Sequence, residues 1–291
     1  MAVQALEKWS KFATVNGVKT HYYDTDEGNT DREVLTFFHG GGSAASMQWR
    51  YNIPELAKDF RVIADDRMGF GLSDVPTKWN GTIKEHTEHE VALLKHLGIK
   101  STHICGLSQG SWRTAYVALF YPELVNKVVF CTSGSITMPL GRDNSDQEKQ
   151  AKFYPSKDEM RANMLAGTKR KELLTDEYVD TVFEYQSRNF DVYANQIWPV
   201  QFGGDPEVRK HNLSIDGKHM SEFMKDLNKP TLIVWGNDHK VPAEKALWLY
   251  NTIPESALYC CTGEHTPMFE HYEVFNKLLK AFLQEDYPYF K

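Results

Sequence analysis

The stretch Cys105-Gly106-Leu107-Ser108-Gln109-Gly110-Ser111 sets a serine between two glycines, each two residues away. Chance alone gives that spacing roughly once in ten chains of this length, taking glycine at ~7%. Its setting adds weight. The apolar run before Ser108 reads as a strand and QGSWRTAYVALF reads as a helix, so the serine falls at a strand-to-helix turn. Gly106, Gly110 and the small Ser111 let strand and helix approach closely. Ser108 is then expected in a strained conformation with its hydroxyl turned outward.

A serine hydroxyl is a weak nucleophile at neutral pH. It needs a base, and the base needs an orienting carboxylate. Asp238 follows the apolar run TLIVW, and His265 follows ALYCC, giving the chain order Ser, Asp, His. Asp226 and Glu264 compete for the acid's place, though neither ends a strand as cleanly. The chemistry also needs donors for an oxyanion. His39-Gly40-Gly41-Gly42 follows the run VLTFF and supplies backbone N–H groups without Cβ crowding. The N–H of Gln109 supplies a second donor at the start of a helix, where the helix dipole favours negative charge.

The elements that must position these groups are legible. Two β-rich runs flank Asn16-Gly17, a strong hairpin signal. Apolar runs then alternate with helical patterns as far as KVVFCTS, and again from PTLIVWG onward. Continuous apolar strands between helices predict an α/β fold, a mostly parallel sheet covered on both faces. MQWRYNIPELAKDF, 83–97, PAEKALWLYNTI and 269–283 carry helical periodicity. Residues 137–219 are polar, helical in pattern and without a convincing apolar strand. The expected organisation is therefore a first core segment at 1–136, a helical cap at 137–219 and a second core segment at 220–291. The cap would lie over the C-terminal edge of the sheet, where open α/β folds place ligands.

Composition removes several function classes. The formal net charge is -6, and the short basic run at 169–171 meets Glu172 at once, so a phosphate backbone is not the expected partner. No run approaches the ~20 apolar residues of a membrane span. The first residues lack the apolar core of a signal peptide. Four cysteines in 291 residues make no disulfide framework, and free thiols in a reducing cytoplasm are expected. His86, His89 and Glu90 do not have zincin spacing and read as a solvated helix face. No metal or other cofactor is expected. His39 and His271 read as structural, and Asp74 as a loop-fixing residue. Trp112, one turn after Ser108, either flanks the pocket or packs. Tyr185, Phe190, Tyr193 and Trp198 either pack cap helices together or meet substrate.

HGGG, DRMGFGLSD, GLSQG, GNDHKVP and GEHTP together resemble the α/β-hydrolase fold family, over nearly the whole chain outside the cap. HGGGSAASMQW and HTPMFEHYEVFN are most similar to the meta-cleavage-product hydrolases, which cut a carbon–carbon bond in vinylogous 1,5-diketones. The resemblance implies a triad of Ser108, Asp238 and His265, with the N–H groups of Gly41 and Gln109 as oxyanion donors. It implies substrate contacts from His39, Gly40, Gly42 and Leu107 on the core loops. Trp112, Arg188, Trp198 and Thr266 complete that set, with Arg188 matching a cap arginine that grips the substrate's acid end. It also implies self-association, as a homodimer. The chain departs from the subfamily at Leu107, where asparagine is usual, and at Thr266, where tryptophan is usual. An ester or lactone therefore stays open beside the diketone. A ligand-binding or receptor-like protein, or a lyase, on the same scaffold is the alternative to a small-molecule hydrolase.

Overall fold

The computed structural model describes residues 3–26, 31–41, 44–138, 156–166, 168–201, 206–237, 241–262 and 265–284. The hairpin at Asn16-Gly17 forms as its turn chemistry requires: both residues have positive φ, 49° and 79°, and join β1 (Ser10–Val15) to β2 (Val18–Asp24). The remaining core strands are β3 (Val34–Phe38), β4 (Arg61–Asp65), β5 (Thr102–Leu107) and β6 (Val125–Cys131). A two-stranded ribbon, β7 (Ser214–Ile215) and β8 (Lys218–His219), follows, and then β9 (Thr231–Gly236) and β10 (Ser256–Cys261). The main sheet has the order β1-β2-β4-β3-β5-β6-β9-β10. β1 and β2 are antiparallel to each other, β2 is antiparallel to β4, and every pair from β4 to β10 is parallel.

Parallel strands of this kind bury both faces, which is why β5 and β9 read as apolar runs with every residue buried. Helices Ile83–His96 and Gln109–Phe120 pack on the sheet where the periodicity placed them. The first is started by a capping box between Thr82 and Glu85. MQWRYNIPELAKDF is not one helix. It breaks into Ala45–Gln48 and Ile53–Leu56, the second carrying Pro54 in its first turn, where a missing N–H costs nothing. The C-terminal helix is likewise two pieces, Pro267–Glu270 and Tyr272–Gln284.

Between β6 and β7 the described chain is helical. The helix Asp176–Val192 runs on through a π-helical turn, Tyr193–Ile197, into Trp198–Gln201. The ribbon β7–β8 lies inside the segment expected to lack strands. Its signal was local, an Asp216-Gly217 turn with φ of 50° and 78°, and its strands are only two residues long. Among the described residues no helix is long and apolar enough to cross a membrane.

Helix Ile83–His96 corrects one expectation. His86, His89 and Glu90 are buried, not solvated. Glu90 forms an ion pair with the fully buried Arg113, and His89 Nε2 lies 2.7 Å from the Thr20 hydroxyl. A helix can bury polar side chains when the neighbouring element brings partners of its own. The cysteines are free, as expected, but only Cys105 and Cys131 are buried; Cys260 is exposed on the edge strand β10.

Burial keeps His39 and His86 protonated only well below the usual histidine range, and lowers His89 to about 4. The unfolded chain takes up these protons near pH 6.5 and the fold does not. Their contribution is present above pH 6.5 and is lost as pH falls toward 4. Asp65 acts in the opposite sense, because burial raises its carboxyl to about 7. Three histidines outweigh one carboxyl, so Tm is expected to fall as pH is lowered from 7 to 5. A scan in which Tm holds or rises over that window would contradict this.

Candidate active site

The turn at Ser108 is built from close backbone approaches. Ser108 has φ 55° and ψ -117°, a conformation costing about 1–3 kcal/mol for a residue with a side chain. Neighbouring bonds impose it. Ser108 N–H donates to Cys131 O at 3.1 Å, and the Ser133 hydroxyl donates to Ser108 O at 2.8 Å. The Ser111 hydroxyl donates to Gly106 O at 2.7 Å. The glycines leave room for this. A Cβ on Gly106 would stand 2.3 Å from the Gly110 backbone, and one on Gly110 would stand 2.1 Å from Phe38 O at the end of β3.

That second approach brings the His39–Gly41 loop against the serine. A Cβ on Gly40 would lie 3.3 Å from Ser108 Cβ and 3.2 Å from Leu107 O. His39 is fully buried and fixes this loop, the structural role expected of it. The Arg67 backbone N–H donates to His39 Nε2 at 3.1 Å, so Nε2 carries a lone pair and the proton sits on Nδ1. Nδ1 then donates to Gly40 O at 2.8 Å. Burial, with the charges of Arg113 and Arg67, keeps the ring neutral. In a trans peptide the carbonyl of Gly40 and the N–H of Gly41 point in opposite directions, so holding one aims the other. Gly40 N–H is itself held by Gln48 Oε1 at 2.7 Å. Gly42 lies outside the described residues. Gln109 is the first residue of its helix, and its N–H has no intrahelical acceptor.

Strand register gathers the remaining groups at one edge. Leu107 pairs with Cys131, Cys131 with Val234, and Val234 with Tyr259. The chain leaves β5, β9 and β10 in the same direction, so Ser108, the segment after Gly236 and the segment holding His265 share the C-terminal edge. Asn237 N–H donates to Cys261 O at 3.0 Å, tying the last two segments together. Asp238 lies outside the described residues, as does Glu264. Asp226 is exposed and precedes β9, at the opposite edge from Ser108. His265 is half-buried and precedes Thr266, whose carbonyl accepts the N–H groups of Phe269 and Glu270 at 3.0 Å. His271 donates from Nε2–H to Thr262 O at 2.6 Å, so its proton sits on Nε2 and the ring ties two backbone segments together.

The loop after β4 supports the same edge. Asp66 Oδ1 accepts the Ala45 N–H at 2.8 Å, and Oδ2 accepts the Leu72 N–H at 3.0 Å. Gly71 packs so tightly that a Cβ would lie 2.1 Å from Asp66 Oδ2. Arg67 is fully buried, and burial lowers its guanidinium to about 9. It donates to Gln109 Oε1 at 3.0 Å and to Gln201 Oε1 at 3.3 Å. Neither Arg67 nor Gln201 was singled out from sequence, because no local pattern joins positions 134 residues apart.

A cavity of about 260 Å³ lies between this loop and the helical segment. Its walls include Met47, Phe70, Tyr185, Phe190, Tyr193 and Trp198. The four aromatic side chains left open by sequence thus face a cavity. Ser108 does not line it. Trp112 is fully buried, stacks on Tyr116 and donates to Leu213 O at 3.2 Å, so it packs and does not flank this cavity. Leu107 is buried in the core. Arg188 is exposed and faces Asp74 at 3.8 Å in a surface groove that adjoins the cavity at Gly69 and Asn189.

The fold and this edge define a hydrolase scaffold, and comparison with known proteins agrees. The alpha/beta hydrolase fold family model matches residues 33–272, and the chain belongs to that family. It is 26% identical over 285 residues to a 2-hydroxy-6-oxononadienedioate/2-hydroxy-6-oxononatrienedioate hydrolase of Pseudomonas sp, covering 94% of this chain and 96% of that one. It is 26% identical to a 2-hydroxy-6-oxo-6-phenylhexa-2,4-dienoate hydrolase of Burkholderia cepacia, with the same coverage. A solved meta-cleavage product hydrolase from Pseudomonas fluorescens superposes with a TM-score of 0.75 at 28% identity, covering 94% of this chain and 97% of that chain.

Gly110→Ala tests the close approach. The added Cβ forces the end of β3, and the His39–Gly41 loop with it, away from Ser108. Displacements near 1 Å cost on the order of 100-fold in rate. Hydrolytic turnover is expected to fall at least that far, with a lowered Tm; unchanged turnover would show that the approach does not set the site.

Proposed function

We propose that this chain is a serine hydrolase acting on meta-cleavage products, cleaving the carbon–carbon bond beside the 6-oxo group of a 2-hydroxy-6-oxo-dienoate. The strained Ser108 against the His39–Gly41 loop is the observation that carries the reading. The two curated relatives are both named for substrates with that skeleton. The aromatic cavity supports an apolar 6-substituent, and residues 137–219 act as its cap.

In this reading His265, oriented by Asp238, first moves a proton so that the dienol becomes its keto tautomer. His265 then takes the Ser108 proton as the hydroxyl attacks the 6-carbonyl. The N–H groups of Gly41 and Gln109 receive the oxyanion. Collapse breaks the C5–C6 bond. The bonding pair shifts through the C3–C4 double bond to the 2-oxygen, and the resulting dienolate takes the proton from His265 and leaves as a dienol. Water, deprotonated by His265, attacks the acyl carbon, and His265 returns that proton to Ser108 Oγ as the acyl group leaves as a carboxylic acid.

A second reading, a small ester or lactone, is favoured by Arg188. Its charge faces Asp74 at the surface instead of waiting in the cavity for an acid. Turnover of a 6-phenyl dienoate beside p-nitrophenyl esters separates the two. The wild type is expected to bleach the dienoate, and Ser108→Ala to lose roughly 1000-fold or more in kcat. Ester turnover without dienoate turnover would select the second reading. An unimpaired Ser108→Ala would overturn both.

A further inference from the structure

Arg67 is an anomaly in the site. Its side chain is fully buried, yet among the described residues it meets no carboxylate. Its bonds go to two neutral amide oxygens, Gln109 Oε1 and Gln201 Oε1, and its guanidinium lies 3.9 Å from the Phe70 ring centroid. Nε and Nη2 have no hydrogen-bond partner among the described residues. A buried charge left in this state is costly, and an apolar side chain would fill the space more cheaply. Such a group is better explained by what it holds.

Arg67 touches both sides of the oxyanion hole. Through its backbone N–H it fixes His39, which fixes the Gly40–Gly41 peptide. Through Nη1 it ties down Gln109, whose N–H sits in a helix turn that no intrahelical bond secures. The third contact reaches across to the helical segment. Gln201 is 2% exposed and donates through Nε2 to Gly81 O at 2.6 Å, so its amide is fixed with the oxygen facing Arg67. Gln201 also ends the continuous helical run from Asp176 that carries Tyr185, Phe190, Tyr193 and Trp198 into the cavity wall.

We propose that Arg67 and Gln201 are positioning residues for the oxyanion hole, through which the cavity-lining helix sets the donor geometry at Ser108. The inference rests on the serine-hydrolase reading. On this account the helix contributes to the chemical step, not only to substrate fit.

The test compares wild type, Gln201→Leu, Gln201→Glu and Gln109→Met on p-nitrophenyl acetate and on the 6-phenyl dienoate. The small ester needs the oxyanion hole but little of the cavity. Gln201→Leu is expected to lower kcat about 10- to 100-fold on both substrates by a similar factor, with KM within about threefold. Gln201→Glu keeps an oxygen for Arg67 and is expected to recover most of that loss. Gln109→Met keeps its backbone N–H but cuts the Arg67 bond from the other end. It is expected to match Gln201→Leu, and it decides the matter if the leucine variant does not fold. Full kcat on the small ester in Gln201→Leu or in Gln109→Met, with or without a changed dienoate KM, overturns the proposal. A wild type inert on both substrates instead removes the serine-hydrolase reading, and the inference falls with it.

Discussion

The site depends on one contact between main chains. The start of the Gln109–Phe120 helix rests directly on the end of β3, so closely that position 110 has no room for a Cβ. Three features follow from it. The chain must reverse within one residue, which puts Ser108 at positive φ. The His39–Gly41 loop is brought against the serine. And the first turn of the helix, with its unsatisfied N–H groups, faces the same spot. The strain at Ser108 is sustained because β5 is central in the sheet and β6 accepts the Ser108 N–H.

Around that contact lies a layer of buried polar groups. Arg113 pairs with Glu90 and also donates to His39 O. Arg67 spans His39, Gln109 and Gln201. Burying so much polarity is unfavourable unless bonds are made, and breaking a buried pair typically costs about 3–5 kcal/mol. The return is rigidity at the His39–Gly41 loop, whose N–H groups, in the proposed mechanism, must already point the right way before charge develops.

Much of this was legible in the sequence, and the reasons are physical. Strand periods, the Asn16-Gly17 turn and the glycine spacing around Ser108 are local signals that produced the elements they implied, while two of the helical periods gave broken helices. The burial of His86, His89 and Glu90 was not legible, because polarity on a helix reads as exposure until elements from elsewhere in the chain cover it: Arg113 on Glu90, Thr20 on His89, and the rings of Phe70 and Trp79 on His86. Arg188 and Trp112 were placed by resemblance and spacing. Their directions are decided by Asp74 and Leu213, far away in sequence. Arg67 and Gln201 escaped for the same reason.

The most direct measurement of the central claim is intact mass after treatment with a serine-reactive phosphonate. One adduct per chain, localised to Ser108 and absent when residue 108 is alanine, is the predicted result. An unlabelled wild type, or equal labelling of the alanine variant, would contradict the assignment of Ser108 as the nucleophile.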